Sequence, residues 1–188
     1  MGKAERAHQY QLPIMEYRRF RREGGCYFFT VVTAGRRPLL VEHIARLRAA
    51  FRHVMEHRPF VIEGIAILPD HLHALWHLPE GDNDFSTRWM VVKRKFSTAL
   101  DTGAVNASMS SKREKGIWQR RFWEHCIRDE DDWRRHMDYI HYNPVKHGYC
   151  VTPAAWPHSS FTRSVAKGWY APDWGAVVPA GIEGMEAE

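Results

Sequence analysis

The hydrophobic pattern begins clearly at residues 26–33, where β-branched and aromatic side chains crowd together and predict a strand. Apolar residues then recur at helical spacing across 42–57, which predicts a helix that ends before Pro59. Two more apolar runs, at 60–68 and 71–78, predict strands. Only Pro69-Asp70 separates them, a spacing typical of a tight antiparallel hairpin.

A second amphipathic helix is predicted after the acidic turn at 80–84. Its apolar stripe comprises Phe85, Trp89, Val92, Phe96 and Leu100. Residues 101–116 are rich in Ser, Gly, Ala and Lys and are interpreted as a mobile loop, and 117–127 as the last strand. A helix is expected from Asp129 through Tyr139 to about Tyr142, ended by Asn143-Pro144. A short helix is expected near 160–167.

This order of elements predicts a ferredoxin-like βαββαβ sandwich of the α+β class, with an antiparallel sheet, a further C-terminal helix and a short tail. One domain is expected over 17–175, with a loose leader at 1–16 and a frayed tail at 176–188. The fold hosts many activities, so function must come from particular side chains.

Composition narrows the function classes. The 188 residues carry a net charge of +5, which is only a weak indication of a nucleic-acid partner. The three cysteines are far apart and form no CxxC pair, so a zinc ribbon or a disulfide framework is not expected. We find no apolar signal core and no stretch of membrane-spanning length, and therefore expect a cytoplasmic protein without a membrane partner.

The first candidate site is His71-Leu72-His73. Residues two apart on a strand face the same side, so both imidazoles can reach one metal ion while Leu72 faces away. For a bare His-x-His pair, two unconnected histidines are the commoner explanation. His77 shares the face by parity but lies about 13 Å further along the strand, too far to share the ion. It is interpreted as a surface residue or a DNA contact.

The second candidate site is Tyr139 with Asn143, four residues apart on the predicted last helix and therefore on one face. A phenol and a carboxamide so placed can present a nucleophile and an oxygen ligand to one ion. By spacing alone, a Tyr139 packed in the core beside Met137 and Ile140 is the more common arrangement.

Both pairs lie within longer motifs. His71 and His73 occur in ILPDHLHALWHLPEGDNDF, and Tyr139 occurs in HMDYIHYNPVKHG. With EYRRFRREGGCYFFTVVT, GIWQRRFWEHCIRDEDDWRRHMDYI and WPHSSFTRSVAKGWYAPDWG, they give a chain that resembles the REP-associated tyrosine transposases. These belong to the HUH class of single-strand DNA transposases, named for two histidines that flank a hydrophobic residue. The resemblance covers all but residues 1–15, 101–116 and about 176–188.

The resemblance implies a single-tyrosine nuclease and strand transferase that cuts REP-type hairpin DNA through a 5′-phosphotyrosine. Tyr139 matches the nucleophile, with Tyr142 as its rival. His71 and His73 match the metal ligands, and Asn143 the polar ligand one turn later. Mixed imidazole and oxygen ligands suit Mg²⁺ or Mn²⁺. A monomer in the bacterial nucleoid is expected, with a dimer as the alternative.

The predicted DNA-binding surface consists of clustered cations. They are Arg18, Arg19, Arg21, Arg22, Lys93, Lys95, Arg120, Arg121 and Lys146. Aromatic residues interleave with Arg120 and Arg121, and exposed rings there would stack on unpaired bases. Trp123 is expected in the core, and Phe122 is left open between core and surface.

Two other functions remain open. A protein that binds REP hairpins without cutting them would have no use for a complete His71, His73 and Tyr139 set. A metal-dependent hydrolase with water as nucleophile would form no covalent adduct with DNA.

Overall fold

A computed structural model describes residues 22–101, 103 and 115–179. Within them, four strands, β1 (Cys26–Val32), β2 (Val61–Ile67), β3 (His71–His77) and β4 (Trp123–Cys126), form one antiparallel sheet in the order β2-β3-β1-β4. The helices of this part of the chain are α1 (Leu39–Glu42), α2 (Ile44–His57), α3 (Phe85–Ser97), α4 (Glu130–Lys146) and α5 (Phe161–Ala166). The arrangement confirms the predicted ferredoxin-like α+β fold.

The sheet separates two apolar layers because side chains alternate along each strand. Tyr27, Phe29 and Val31 face α2 and α3, where the rings of Trp76 and Trp89 stack with centroids 4.2 Å apart. Phe28 lies on the other face, in a second cluster with Leu75 and the buried side of α4. A Cβ atom at Gly64 of β2 would collide with Met137 of α4, so this glycine permits the close approach of the helix to the sheet.

The first predicted helix and the last predicted strand differ from those observed. The first helix is preceded by the short helix α1, whose Leu39 and Leu40 are buried. The predicted strand at 117–127 is a strand only at Trp123–Cys126. Ahead of it, Trp118 forms an isolated bridge with Thr33 and donates its indole N–H to the carbonyl of Lys93. The backbone N–H of Gln119 also donates to the carbonyl of Val32, so this segment stays attached to the end of β1 before regular pairing begins at Trp123.

The expectation that Asn143-Pro144 ends the last helix is wrong, because α4 continues to Lys146 with Pro144 inside it. Proline cannot donate to the carbonyl four residues earlier, but so near the helix end this removes only one bond. The backbone N–H of His147 still donates to the carbonyl of Asn143, and Gly148 then leaves the helix with φ of 72°. The added turn carries Lys146 and His147 over the sheet.

The C-terminal segment secures α4 from outside. Ala66 and Ser159 form a bridge at the free edge of β2, and the hydroxyl of Tyr170 donates to the Asp138 carboxylate at 2.7 Å. The predicted leader at 1–16 lies outside the described residues, as do most of the loop at 101–116 and of the tail at 176–188. None of the helices within the described residues has the length and hydrophobicity of a membrane-spanning segment.

Candidate active site

His71 and His73 lie on the α4 side of β3, and Leu72 lies in the opposite apolar cluster. The two imidazole centroids are 5.0 Å apart with their planes at 80°. Both side chains are almost fully buried. The strand therefore presents two imidazoles to one small volume, which is the arrangement that a shared ion requires.

Each imidazole is oriented by a neighbour through its Nδ1 atom. His71 Nδ1 lies 2.7 Å from Oδ1 of Asp70, so Nδ1–H donates to the carboxylate and Nε2 keeps its lone pair. His73 Nδ1 lies 2.9 Å from Oγ1 of Thr30 on the neighbouring strand β1. Among the described residues, His73 Nε2 is buried without a hydrogen-bond partner. This set of donors fits a divalent metal ion.

The protonation states also fit a metal site. Burial, reinforced by the nearby His71 and His147, holds the pKa of His73 well below its usual value, so the ring is neutral. Burial opposes ionisation of Asp70, but hydrogen bonds from His71 and Arg36 hold the pKa of this carboxyl below its usual value. A neutral imidazole and an ionised carboxylate are the forms that a metal ligand and its orienting partner take.

Helix α4 brings Tyr139 to the histidines. The centroid of the Tyr139 ring is 5.1 Å from that of His73, and its side chain is 1% exposed. Nζ of Lys146 lies over the same ring, 5.1 Å from the centroid. The rival Tyr142 packs beside Gly175 of the C-terminal segment. Of the two tyrosines, Tyr139 is therefore the one placed against the candidate ligand His73.

Asn143 follows Tyr139 by one helical turn and is fully buried. Within the described part of the chain, neither its amide oxygen nor its amide nitrogen has a hydrogen-bond partner. Leaving a buried carboxamide unsatisfied is costly, so a ligand for its oxygen is expected. A metal ion held beside His73 would provide one.

Three residues of this region escaped sequence reasoning. Asp70 directly precedes the His-x-His motif, so adjacency to His71 was an available signal. Thr30 is identified only by the pairing of β1 with β3, which places it opposite His73. His147, whose ring centroid lies 5.0 Å from that of His71, arrives through the unexpected last turn of α4.

The predicted DNA-binding cations occupy separate surfaces. Arg18, Arg19 and Arg21 lie outside the described residues, and Arg22 is the first residue that is described. Lys93 and Lys95 belong to α3 on the opposite face of the sheet, where Lys93 donates to the carbonyl of Gln119. Arg120 and Arg121 are exposed just before β4. Lys146 is also exposed, and it is the cation of this set that lies beside Tyr139.

His77, His125 and His136 do not join the group formed by His71 and His73. His77 is half exposed with its Nδ1 3.2 Å from Oε1 of Glu63, as expected for a surface residue. A second group able to offer metal ligands comprises His125, Asp132 and His136. There Asp132 already accepts hydrogen bonds from His125 and Arg128.

No family model matches the chain. A REP-associated tyrosine transposase of Escherichia coli K12 is 46% identical over 162 residues, covering 86% of this chain and 91% of that protein. A Haemophilus influenzae Rd protein assigned to the same family is 45% identical over 174 residues, covering 91% of this chain and 99% of its own.

A solved structure of a REP-associated tyrosine transposase bound to a REP hairpin matches with a TM-score of 0.75 and 44% identity. The match covers 87% of this chain and 93% of that one. The sequence identity extends over nearly the whole length of the chain, and the fold agrees as well. The chain therefore belongs to the REP-associated tyrosine transposases, a family of enzymes.

Proposed function

We propose that this transposase is a metal-dependent single-strand DNA endonuclease and strand transferase that acts on REP-type hairpins through a phosphotyrosine at Tyr139. The observation that carries the proposal is the placement of Tyr139 against His73, with ring centroids 5.1 Å apart. The relative solved with a REP hairpin supports the substrate class.

In the proposed reaction the phenol oxygen of Tyr139 attacks the scissile phosphorus. A bond forms between that oxygen and phosphorus, and the bond to the 3′-oxygen of the preceding nucleotide breaks. The phenol loses its proton, and the departing oxygen gains one to become a free 3′-hydroxyl. A second 3′-hydroxyl then attacks the phosphotyrosine and regenerates Tyr139. Each step exchanges one phosphodiester for another, so no external energy source is needed.

His71, His73 and Asn143 would hold the metal, with Asp70 and Thr30 fixing the two imidazoles. When bound, a divalent ion supplies polarisation of a phosphoryl oxygen and neutralises charge that develops on it. The ligands and the nucleophile are kept in a fixed relative position, because His71 and His73 lie on strand β3 and Tyr139 lies on helix α4.

Lys146 adds positive charge on the solvent side of the nucleophile. It is exposed while the Tyr139 ring beneath it is 1% exposed, so an approaching phosphodiester meets the ammonium group first. We infer that Lys146 attracts the DNA backbone and stabilises negative charge that develops at the phosphate during attack. All the proposed groups come from one chain, which supports a monomeric enzyme.

The test uses single-stranded oligonucleotides that carry REP hairpins, incubated with Mg²⁺ or Mn²⁺ and resolved on a denaturing gel. The unmodified protein should cleave and form a covalent adduct that maps to Tyr139. Tyr139→Phe should abolish both, while Tyr142→Phe, the matched control, should retain them.

Three outcomes would redirect the proposal. Cleavage by Tyr139→Phe would remove this residue as the nucleophile. Cleavage without an adduct would indicate a hydrolase that uses water. Tight hairpin binding without cleavage of any substrate would indicate a recognition protein.

A further inference from the structure

Trp123 is the first residue of β4 and is 42% exposed, so the expectation that it lies in the core is wrong. The exposure of Trp123 follows from the position of β4 in the sheet. Strand β4 is at the edge of the sheet, and helix α4 makes its main sheet contacts with β2 and β3. The indole on the α4 side of β4 is therefore left open to solvent.

Despite its exposure, the Trp123 ring packs against neighbouring rings. The indole of Trp123 stacks on His125 at 5.9 Å and 7°, and His125 stacks on His136 at 4.7 Å and 13°. Asp132 fixes both histidines, accepting from His125 at 2.8 Å through its carboxylate and from His136 at 2.7 Å through its carbonyl. These three rings, Trp123, His125 and His136, form a stacked ladder with its exposed end at Trp123.

The ladder lies on the same face of the sheet as the candidate active site. Thr30 pairs with Trp123 on one side and with His73 on the other, so the three form one row across β4, β1 and β3. At about 4.8 Å per strand spacing, the backbones of Trp123 and His73 are roughly 10 Å apart. Phe28 connects them, touching the Trp123, His73 and Tyr139 rings.

We propose that Trp123 is a stacking platform for an unpaired DNA base close to the scissile phosphate. The proposal rests on the proposed function, because the distance is measured from the site where the phosphate would react. An aromatic face stacks on any base, and a prearranged ring pays little entropy on binding. Arg121, exposed two residues before Trp123, supplies positive charge for an adjoining phosphate.

The test measures binding rather than cleavage, in protein that carries Tyr139→Phe so that the DNA stays intact. Affinity for a single-stranded REP hairpin with unpaired flanks is measured by fluorescence anisotropy. Trp123→Ala should bind roughly tenfold more weakly, and Trp123→Phe should retain most of the affinity. Trp169→Ala is the matched control, since Trp169 is 44% exposed but packs on Trp133 at the C-terminal segment.

An abasic scan of the unpaired flanks identifies the base. At one position near the scissile phosphate, removing the base should weaken binding about as much as Trp123→Ala does. On that oligonucleotide the Trp123→Ala substitution should cause no further loss. Circular dichroism of each variant confirms that the fold is retained.

The stacking proposal is overturned if folded Trp123→Ala binds as tightly as its parent. Equal losses on every abasic oligonucleotide, or a loss matched by Trp169→Ala, would overturn it as well. A failure of the catalytic proposal is separate, because it would appear as absent cleavage by the unmodified protein while the binding differences persist.

Discussion

Asp70 holds His71 through a contact of 2.7 Å between Oδ1 and Nδ1, although the two residues are neighbours in the chain. The other carboxylate oxygen lies 3.3 Å from Nη1 of Arg36. The resulting line Arg36–Asp70–His71 keeps the carboxylate ionised and directs the lone pair of the imidazole away from it. Asp70 is thus a positioning residue for a candidate ligand.

Replacing Asp70 with alanine should weaken Mn²⁺ binding by about 10- to 100-fold, because His71 loses the acceptor that orients it. Isothermal titration calorimetry of the full chain measures the change, and thermal unfolding checks that the fold persists. Asp101→Ala, which removes an exposed carboxylate after α3, is the control. Unchanged Mn²⁺ affinity in Asp70→Ala would mean that Asp70 does not position a metal ligand.

Lys146→Ala should slow the cleavage of hairpin DNA by about tenfold, less than the 10²–10³ typical of a buried hydrogen-bond donor, because Lys146 is exposed. Single-turnover assays with saturating DNA separate this effect from weaker binding. Lys167→Ala is a matched control, since Nζ of Lys167 also lies over a ring, that of Trp169 at 4.2 Å. Equal rates for both variants would exclude a role for Lys146 in the reaction.

The pair of Asp82 and Arg88 predicts an acid-sensitive contribution to stability. Arg88 is buried and donates to both carboxylate oxygens of Asp82, at 3.1 and 2.7 Å. These hydrogen bonds from Arg88 hold the pKa of Asp82 below its usual value. The pKa of Asp82 is lower in the folded than in the unfolded protein. The stabilisation from its ionised form is therefore complete above about pH 4 and is lost as the pH falls further.

Asp82→Asn should therefore lower the free energy of unfolding by about 2 kcal/mol at pH 6. Urea unfolding from pH 6 to pH 3 should show the difference from the unmodified protein narrowing on acidification. Glu80→Gln, an exposed neighbour in the same turn, should be nearly neutral throughout. If the difference in free energy of unfolding between Asp82→Asn and the unmodified protein stays constant with pH, the assigned ionisation of Asp82 is wrong.

Local patterns were sufficient for much of the fold. Apolar positions four or three apart predicted that Phe85, Trp89, Val92 and Phe96 would be the buried face of α3, and all four are buried. The period of two along β3 placed His71 and His73 on one face. These predictions succeeded because the geometry of a helix or strand relates neighbours in the chain directly.

Other features depended on the surroundings of each residue. Trp123 is exposed because β4 is an edge strand that α4 leaves open, which no local pattern reveals. Pro144 remains within α4 because the loss of a single bond is tolerated near the end of a docked helix.

The sequence by itself determined the alternation that pairs His71 with His73, the helix that carries Tyr139 and Asn143, and the resemblance that joined the two pairs. Only the tertiary structure decided that Thr30 and Asp70 orient the histidines. It also decided that Lys146 lies over the Tyr139 ring and that Trp123 is exposed on the same face of the sheet. Strand register and helix docking bring together residues that are far apart in the chain. Those contacts depend on how whole faces pack, so periodicity along any one segment does not contain them.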